Sequence, residues 1–118
     1  MAVILLVDDE RIVLNVISTI LRSAGHEVMT AANGLEGLAV FRSYQNMIEL
    51  VITDLKMPEM DGFELIGRIR ESRPLTKIIC MSGFSEQECP QGVTFLQKPF
   101  RAEVVRDCVI GILTLQSD

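Results

Sequence analysis

The sequence has few of the residues that build metal-binding or disulfide-stabilised proteins. His26 is its only histidine, and its three cysteines, Cys80, Cys89 and Cys108, do not have the spacing of metal ligands. A zinc site is therefore not expected, because it would need a second histidine or suitably spaced cysteines. An odd number of cysteines outside a secretory context indicates free thiols, and Cys80 and Cys108 lie in apolar patterns that predict core positions.

The sequence also lacks a long apolar run and a cluster of basic residues. No run approaches the roughly 20 residues of a membrane-spanning helix. The first residues, "MAVILLVDDE", lack the basic region of a signal peptide, and acids interrupt their apolar run. The net charge is −5 and the 11 basic residues are scattered, which argues against nucleic-acid binding. A cytoplasmic chain without membrane contact is expected.

Length and composition are those of one globular domain over residues 1–118, with 48% hydrophobic and 23% charged residues. Five short aliphatic runs predict buried parallel strands, over residues 2–7, 27–31, 50–53, 77–82 and 93–97. Periodic apolar patterns between and after them predict helices, over residues 10–24, 34–44, 61–73 and 101–115. This alternation predicts an α/β fold, a doubly wound five-stranded parallel sheet with helices on both faces.

The connection between the fourth and fifth predicted strands is short for this architecture. Its sequence, "GFSEQECPQG" (83–92), contains Pro90, which disfavours a helical conformation at Cys89. The helix expected between those strands is therefore shortened or missing.

Polar side chains stand where four of the predicted strands end. Asp8 and Asp9 follow the first strand, Asp54 follows the third, Ser82 ends the fourth and Lys98 follows the fifth. Parallel strands end at the same edge of a sheet, and in doubly wound sheets ligands bind at that edge. An acid that merely meets solvent at a strand end would explain Asp8 or Asp9 alone. The whole set indicates a functional site.

Three clustered carboxylates repel one another. Two unit charges about 4 Å apart cost about 4 kcal/mol at an effective dielectric constant of about 20. Mg²⁺ binds oxygen ligands, and its positive charge offsets such repulsion. Lys98 can pair with a phosphoryl oxygen. A carboxylate can also act as a nucleophile and form an aspartyl phosphate. Asp54 is the best candidate nucleophile, because it stands alone after a central strand and precedes the proline- and glycine-marked loop "KMPEMDG".

Four motifs resemble the receiver domain of two-component response regulators: "LLVDDE" (5–10), "VITDLKMPEMDG" (51–62), "MSG" (81–83) and "FLQKPF" (95–100). They occur in that family's order, and the similarity runs over essentially the whole chain. The motifs "MSGF" and "VTFLQKPF" are also similar to the receivers of hybrid sensor histidine kinases. The resemblance implies a flavodoxin-like sheet with strand order 2-1-3-4-5.

The resemblance implies a role for each residue of the set. Asp54 resembles the phosphoacceptor, which takes its phosphoryl group from a histidine kinase or a histidine phosphotransfer domain. Asp9, Asp54 and the backbone carbonyl of Lys56 resemble the Mg²⁺ ligands, and Asp8 the acid that helps to hold the metal. Lys98 resembles the lysine that binds the phosphoryl group.

Ser82 resembles the hydroxyl of the switch, and Phe95 the aromatic residue whose orientation follows it, although a plain core position would also explain Phe95. The backbone N–H groups of Lys56 and Gly83 are the expected partners of phosphoryl oxygens. A full fourth helix normally contributes to the output and dimer face of receivers. Because residues 83–92 leave little room for it, a monomer is expected.

Two other functions fit the sequence less well. Phosphatases with an aspartate nucleophile carry a second aspartate two residues later, where this chain has Lys56. Receivers that only bind proteins usually lose the acceptor, an acid of the pair or the lysine, all of which are present. We expect a signalling domain that catalyses its own phosphorylation and dephosphorylation and is not a dedicated turnover enzyme. It could belong to a hybrid sensor kinase or be a freestanding regulator.

Overall fold

The computed structural model of the chain describes residues 2–83 and 89–114. All five predicted strands are present and pair in parallel: β1 (Val3–Val7), β2 (Glu27–Ala31), β3 (Leu50–Asp54), β4 (Lys77–Ser82) and β5 (Thr94–Gln97). Their order in the sheet is β2-β1-β3-β4-β5. The predicted flavodoxin-like topology is confirmed.

Four helices lie within the described residues: α1 (Arg11–Ser23), α2 (Gly34–Tyr44), α3 (Gly62–Ser72) and α4 (Ala102–Thr114). Side-chain caps begin two of them. The side chain of Asn33 accepts a hydrogen bond from the N–H of Glu36 at 2.8 Å, and that of Asp61 accepts one from Glu64 at 2.9 Å. Over the described ranges, no helix has the length and hydropathy needed to cross a membrane.

The connection from β4 to β5 carries no helix in its described part, which consists of Gly83 and residues 89–93. A turn just before β5 is closed by a hydrogen bond from the N–H of Val93 to the carbonyl of Pro90 at 3.2 Å. A shortened or missing fourth helix was predicted for this connection. Residues 84–88 of the connection lie outside the described residues.

The sheet separates two apolar layers, because successive side chains of each strand point to opposite faces. Leu5, Val51 and Cys80 face the layer that α2 and α3 cover. Ile4 and Ile52 face the layer that α1 and α4 cover. Since both faces are covered, β1 and β3 are buried almost throughout, which explains their nearly continuous aliphatic sequences.

Helix α3 begins directly against the end of β3. A Cβ placed on Gly62 would lie 2.1 Å from the carbonyl oxygen of Asp54 and 2.8 Å from Cα of Leu55. The N–H of Gly62 also donates a hydrogen bond to the carbonyl of Leu55 at 3.0 Å. This close approach fixes the position of Asp54 and requires a residue without a side chain at position 62.

We expect Gly62→Ala to lower the free energy of unfolding by about 1–3 kcal/mol, because the added methyl group must displace backbone. Gly67→Ala is the matched control. Gly67 lies in the same helix, is exposed, and has nothing within 4 Å of an added Cβ. Alanine there should stabilise the protein by up to about 1 kcal/mol. Urea unfolding of both variants measures the difference, and equal midpoints would contradict the close-approach argument.

Candidate functional site

The predicted polar residues meet at the carboxyl edge of the sheet. Asp8 follows β1, Asp54 is the last residue of β3, and Ser82 is the last residue of β4. Asp8, Asp9 and Asp54 each offer a carboxylate oxygen, and these three oxygens all lie within 4.8 Å of one another. An oxygen-only donor set of this size is suited to a hard divalent cation.

Lys98 is the cationic residue of this cluster and contacts several acids at once. Its Nζ lies 2.9 Å from Oδ2 of Asp8, 3.3 Å from Oδ2 of Asp54 and 3.5 Å from Oε1 of Glu10. Its backbone N–H donates a hydrogen bond to the carbonyl of Ser82 at 2.8 Å, which fixes the lysine against the end of β4. The Lys98–Pro99 peptide bond is cis.

Backbone N–H groups hold the two buried acids. Asp8 is fully buried, and its Oδ1 accepts a hydrogen bond from the N–H of Glu10 at 2.8 Å. Asp54 is 7% exposed, and its Oδ1 accepts one from the N–H of Leu55 at 2.9 Å. Each acid therefore directs Oδ1 to the backbone and Oδ2 to the lysine. Asp9 is exposed and lies at the rim.

The remaining predicted residues differ in their positions. Ser82 is 1% exposed, and Gly83, directly after it, is exposed at the same edge. Lys56 is exposed in the loop that follows Asp54. Phe95 lies within β5, is partly buried and packs against the core layer under α2 and α3. The structure thus gives Phe95 the position of a core residue, and it brings Ser82 and Gly83 to the edge where the acids meet.

Burial makes the two inner acids costly to ionise. It raises the pKa of Asp8, and the hydrogen bonds from Glu10 N–H and Lys98 do not restore the ordinary value. Burial, followed by the charge of Asp8, also raises the pKa of Asp54, against the opposing effects of Lys98 and the Leu55 N–H. Burial alone would lower the pKa of Lys98, but the two acids together raise it. Additional positive charge at this edge would therefore be favourable.

The family model of the response regulator receiver domain matches residues 4–110. The chain belongs to this family. The receiver domain is 33% identical to sensor kinase CckA of Brucella abortus (strain 2308) over 121 residues, covering 98% of this chain but 13% of that protein. It is 30% identical to sporulation initiation phosphotransferase F of Bacillus subtilis (strain 168) over 121 residues, covering 98% of this chain and 96% of that protein.

A solved structure extends this similarity to three dimensions. The crystal structure of the CheX–CheY–BeF3–Mg²⁺ complex from Borrelia burgdorferi contains a chain that matches this receiver domain with a TM-score of 0.90 and 28% identity. The match covers 95% of this chain and 89% of that one. The predicted family and its function, that of a receiver domain of two-component systems, are confirmed.

Two groups of the receiver's site were not predicted from the sequence. Glu10 extends the cluster by contacting Lys98, although 65% of its side chain is exposed. The N–H of Leu55 holds one oxygen of Asp54. The continuous run of three acids at the end of β1 was a signal for Glu10. No sequence signal marks the N–H of Leu55, since every residue except proline carries one.

We expect the metal-free receiver to lose stability as pH rises from below 3.8, the ordinary pKa of its aspartates, through the raised values of Asp8 and Asp54. In this window the folded state binds protons more tightly than the unfolded state, so deprotonation favours unfolding. The raised pKa of Lys98 acts in the same sense only above pH 10.5.

Urea unfolding in EDTA at a series of pH values measures this loss. Asp54→Asn should show a shallower decline than the wild type. Asp107→Asn, an exposed acid on α4, should follow the wild-type curve. Parallel curves for all three proteins would mean that Asp54 is not held at a raised pKa.

Proposed function

We propose that Asp54 of this receiver domain accepts a phosphoryl group from a phosphohistidine of a histidine kinase or a histidine phosphotransfer domain. The observation that carries the proposal is the position of its carboxylate. Oδ2 of Asp54 lies 3.3 Å from Nζ of Lys98, and the carboxylates of Asp8 and Asp9 lie nearby. Asp9 and Glu10 are exposed at the rim. The nucleophile is thus fixed at the bottom of an open, charged site.

The transfer breaks one bond and forms one. A carboxylate oxygen of Asp54 attacks phosphorus, the P–N bond breaks, and its electron pair stays with the leaving imidazole nitrogen. Such transfers require positioning and neutralisation of charge rather than elaborate covalent chemistry. The Leu55 N–H and the close approach of Gly62 position the carboxylate, and Lys98 supplies a positive charge to the incoming oxygens.

The same residues fit Mg²⁺. The carboxylates of Asp8, Asp9 and Asp54, with the backbone carbonyl of Lys56, would hold the ion, which supplies charge neutralisation to the transferring group. The three carboxylates are all oxygen donors and lie within the 4.8 Å already described. The solved complex of the similar Borrelia burgdorferi chain includes Mg²⁺ and BeF3, which supports the same use here.

We assign the switch to the carboxyl ends of β4 and β5. The Ser82 hydroxyl and the N–H groups of Gly83 and Lys56 would meet the phosphoryl oxygens, and Phe95 would respond to the movement of Ser82. The hydrogen bond from the Lys98 N–H to the Ser82 carbonyl supports this assignment, because it couples the lysine to the serine through the backbone.

The two relatives suggest two settings for this domain. The chain spans 13% of the sensor kinase and 96% of the sporulation phosphotransferase. It could therefore be the receiver of a hybrid sensor kinase or a freestanding regulator, and we propose a monomeric, cytoplasmic domain over residues 1–118 in either case. Its catalysis is limited to its own phosphorylation and dephosphorylation.

Treatment with small phosphodonors tests this function. Acetyl phosphate carries an acyl phosphate, and phosphoramidate carries the P–N bond of a phosphohistidine. With Mg²⁺, each should add one phosphoryl group to the intact mass, and mild base should remove it. EDTA should suppress the gain. A chain that gains no mass from either donor, or gains it equally in EDTA, would contradict the proposal.

We also expect Mg²⁺ to raise the melting temperature of the wild type. Binding to the folded state alone stabilises a protein by about 1.4 kcal/mol at ten times the dissociation constant. For a domain of this size that corresponds to about 5 °C. Differential scanning fluorimetry with and without millimolar Mg²⁺ measures the rise.

Asp9→Asn should abolish that rise, because Asp9 contributes a metal ligand from the exposed rim and has no part in the core. Asp107→Asn removes the same charge from α4 and should keep it. An equal rise in Asp9→Asn would place the metal elsewhere on the chain.

A further inference from the structure

Two of the three cysteines come together on the face of the sheet that α3 covers. Cys80 lies in β4 and is fully buried, while Cys89 lies just before the turn into β5 and is partly buried. Cys89 packs against the core layer that contains Cys80. The fold therefore brings both thiols to the same apolar layer.

Several contacts hold Cys89 in this position. Its Sγ donates a hydrogen bond to the carbonyl of Val93 at 3.4 Å, just before β5. Cys80 is the register partner of Phe95 in β5. From α3, Nη2 of Arg70 donates a hydrogen bond to the carbonyl of Gln91 at 2.9 Å. The segment that carries Cys89 is therefore attached both to β5 and to α3.

The two thiols affect each other electrostatically. Burial raises the pKa of Cys80, and the Cys89 side chain raises it further. The strand register agrees, because Val93, which accepts the hydrogen bond from the Cys89 thiol, directly precedes Thr94, the partner of Ile79 next to Cys80. Cys89, the partly exposed thiol, is thus the one that a small molecule in solution can reach.

We propose that Cys80 and Cys89 are an oxidisable pair, which a peroxide converts into an intramolecular disulfide. The Cys89 thiolate attacks a peroxide oxygen, the O–O bond breaks, and Cys89 becomes a sulfenic acid as the first water leaves. The Cys80 sulfur then attacks the Cys89 sulfur, the S–O bond breaks, and the second water leaves. Two thiols lose two electrons, and hydrogen peroxide gains them.

Cys108 takes no part in this chemistry. It lies on α4 and packs against the layer on the opposite face of the sheet from Cys80. The sheet separates it from the other two thiols. Cys108 is therefore an internal control for non-selective oxidation.

The disulfide would enclose the end of β4 in a covalent ring. Ser82 and Gly83 lie between the bridged positions in the sequence. Their movement toward a phosphoryl group would be restrained, and phosphorylation would slow. This consequence, unlike the disulfide itself, rests on the proposed function.

Peptide mapping tests the disulfide without reference to phosphorylation. Tryptic peptide 78–101 carries both Cys80 and Cys89, and peptide 107–118 carries Cys108. After peroxide treatment and digestion without reductant, peptide 78–101 should lose two hydrogen atoms and regain them with dithiothreitol. Cys108→Ser should behave likewise, and Cys89→Ser should show no loss. Addition of oxygen to peptide 78–101 in place of the loss, or a link to peptide 107–118 or to a second chain, would overturn the proposal.

Phosphodonor labelling tests the consequence for the switch. The oxidised wild type should label more slowly than the reduced protein by about fivefold or more, the lower end of typical coupling between linked sites. Cys89→Ser should label at the same rate before and after peroxide. Equal rates for oxidised and reduced wild type would overturn the coupling, and absence of labelling in the reduced protein would instead contradict the proposed function.

Discussion

Asp54→Asn is expected to abolish phosphodonor labelling completely. Asparagine keeps the shape of the side chain and can still accept the Leu55 N–H, so the site should remain folded. Its amide, however, is not a nucleophile toward phosphorus, and the neighbouring acids cannot replace it. Asp8 is fully buried beneath Lys98, and Asp9 is exposed at the rim. Intact mass spectrometry after treatment with acetyl phosphate and Mg²⁺ should show only the unmodified chain.

Asp107→Asn is the matched control for this result, because it makes the same chemical change on an exposed face of α4. It should label as the wild type does. Peptide mapping of the labelled wild type should place the phosphoryl group on Asp54. Full labelling of Asp54→Asn would mean that another residue is the acceptor.

Lys98→Met is expected to lower the free energy of unfolding in EDTA by about 3 kcal/mol. Removal of one partner of a buried ion pair usually costs about 3–5 kcal/mol, because the remaining charge is left uncompensated. We expect the low end of that range, because the Lys98 side chain is 19% exposed. Water can therefore partly solvate the acids once the lysine charge is removed. Asp8 would lose the most favourable interaction, because it is fully buried and lies 2.9 Å from the lysine nitrogen.

Two further measurements separate this charge effect from simple loss of packing. The double variant Asp8→Asn/Lys98→Met should be more stable than Lys98→Met alone, because the uncompensated buried charge is gone. Saturating Mg²⁺ should recover more stability in Lys98→Met than in the wild type, since the ion then replaces the missing positive charge.

Lys77→Met is the matched control, at the opposite end of β4 from Ser82. It should change stability little and leave the response to Mg²⁺ unaltered. If Lys98→Met were as stable as the wild type in EDTA, the contacts of Lys98 with the acids would contribute nothing to folding.

Much of the fold could be predicted because it depends on local patterns. The aliphatic runs marked the strands, and the caps at Asn33 and Asp61 depend on residues only three positions away. The common edge of Asp8, Asp54 and Lys98 followed from the parallel direction of the strands. None of these inferences needed the distance between two side chains.

Contacts between distant side chains could not be predicted in this way. The sequence indicated that a metal would offset the repulsion among the acids, whereas in the structure Lys98 already pairs with Asp8, Asp54 and Glu10. Which acids a flexible lysine reaches depends on strand register, sheet twist and rotamers. The proximity of Cys80 and Cys89 depends likewise on how the chain returns to β5.

The hydrogen bond between Gly62 and Leu55 has a consequence for insertions and for protein engineering. It closes the intervening residues into a small ring whose two ends are held against the sheet. Met60, near the second end, is buried, whereas Glu59 is exposed and has a φ of 67°. Extra residues added beside Glu59 would lengthen only the outer side of the ring. An epitope or a reporter dye could therefore be placed there, a few residues from Asp54, with the acceptor held in place.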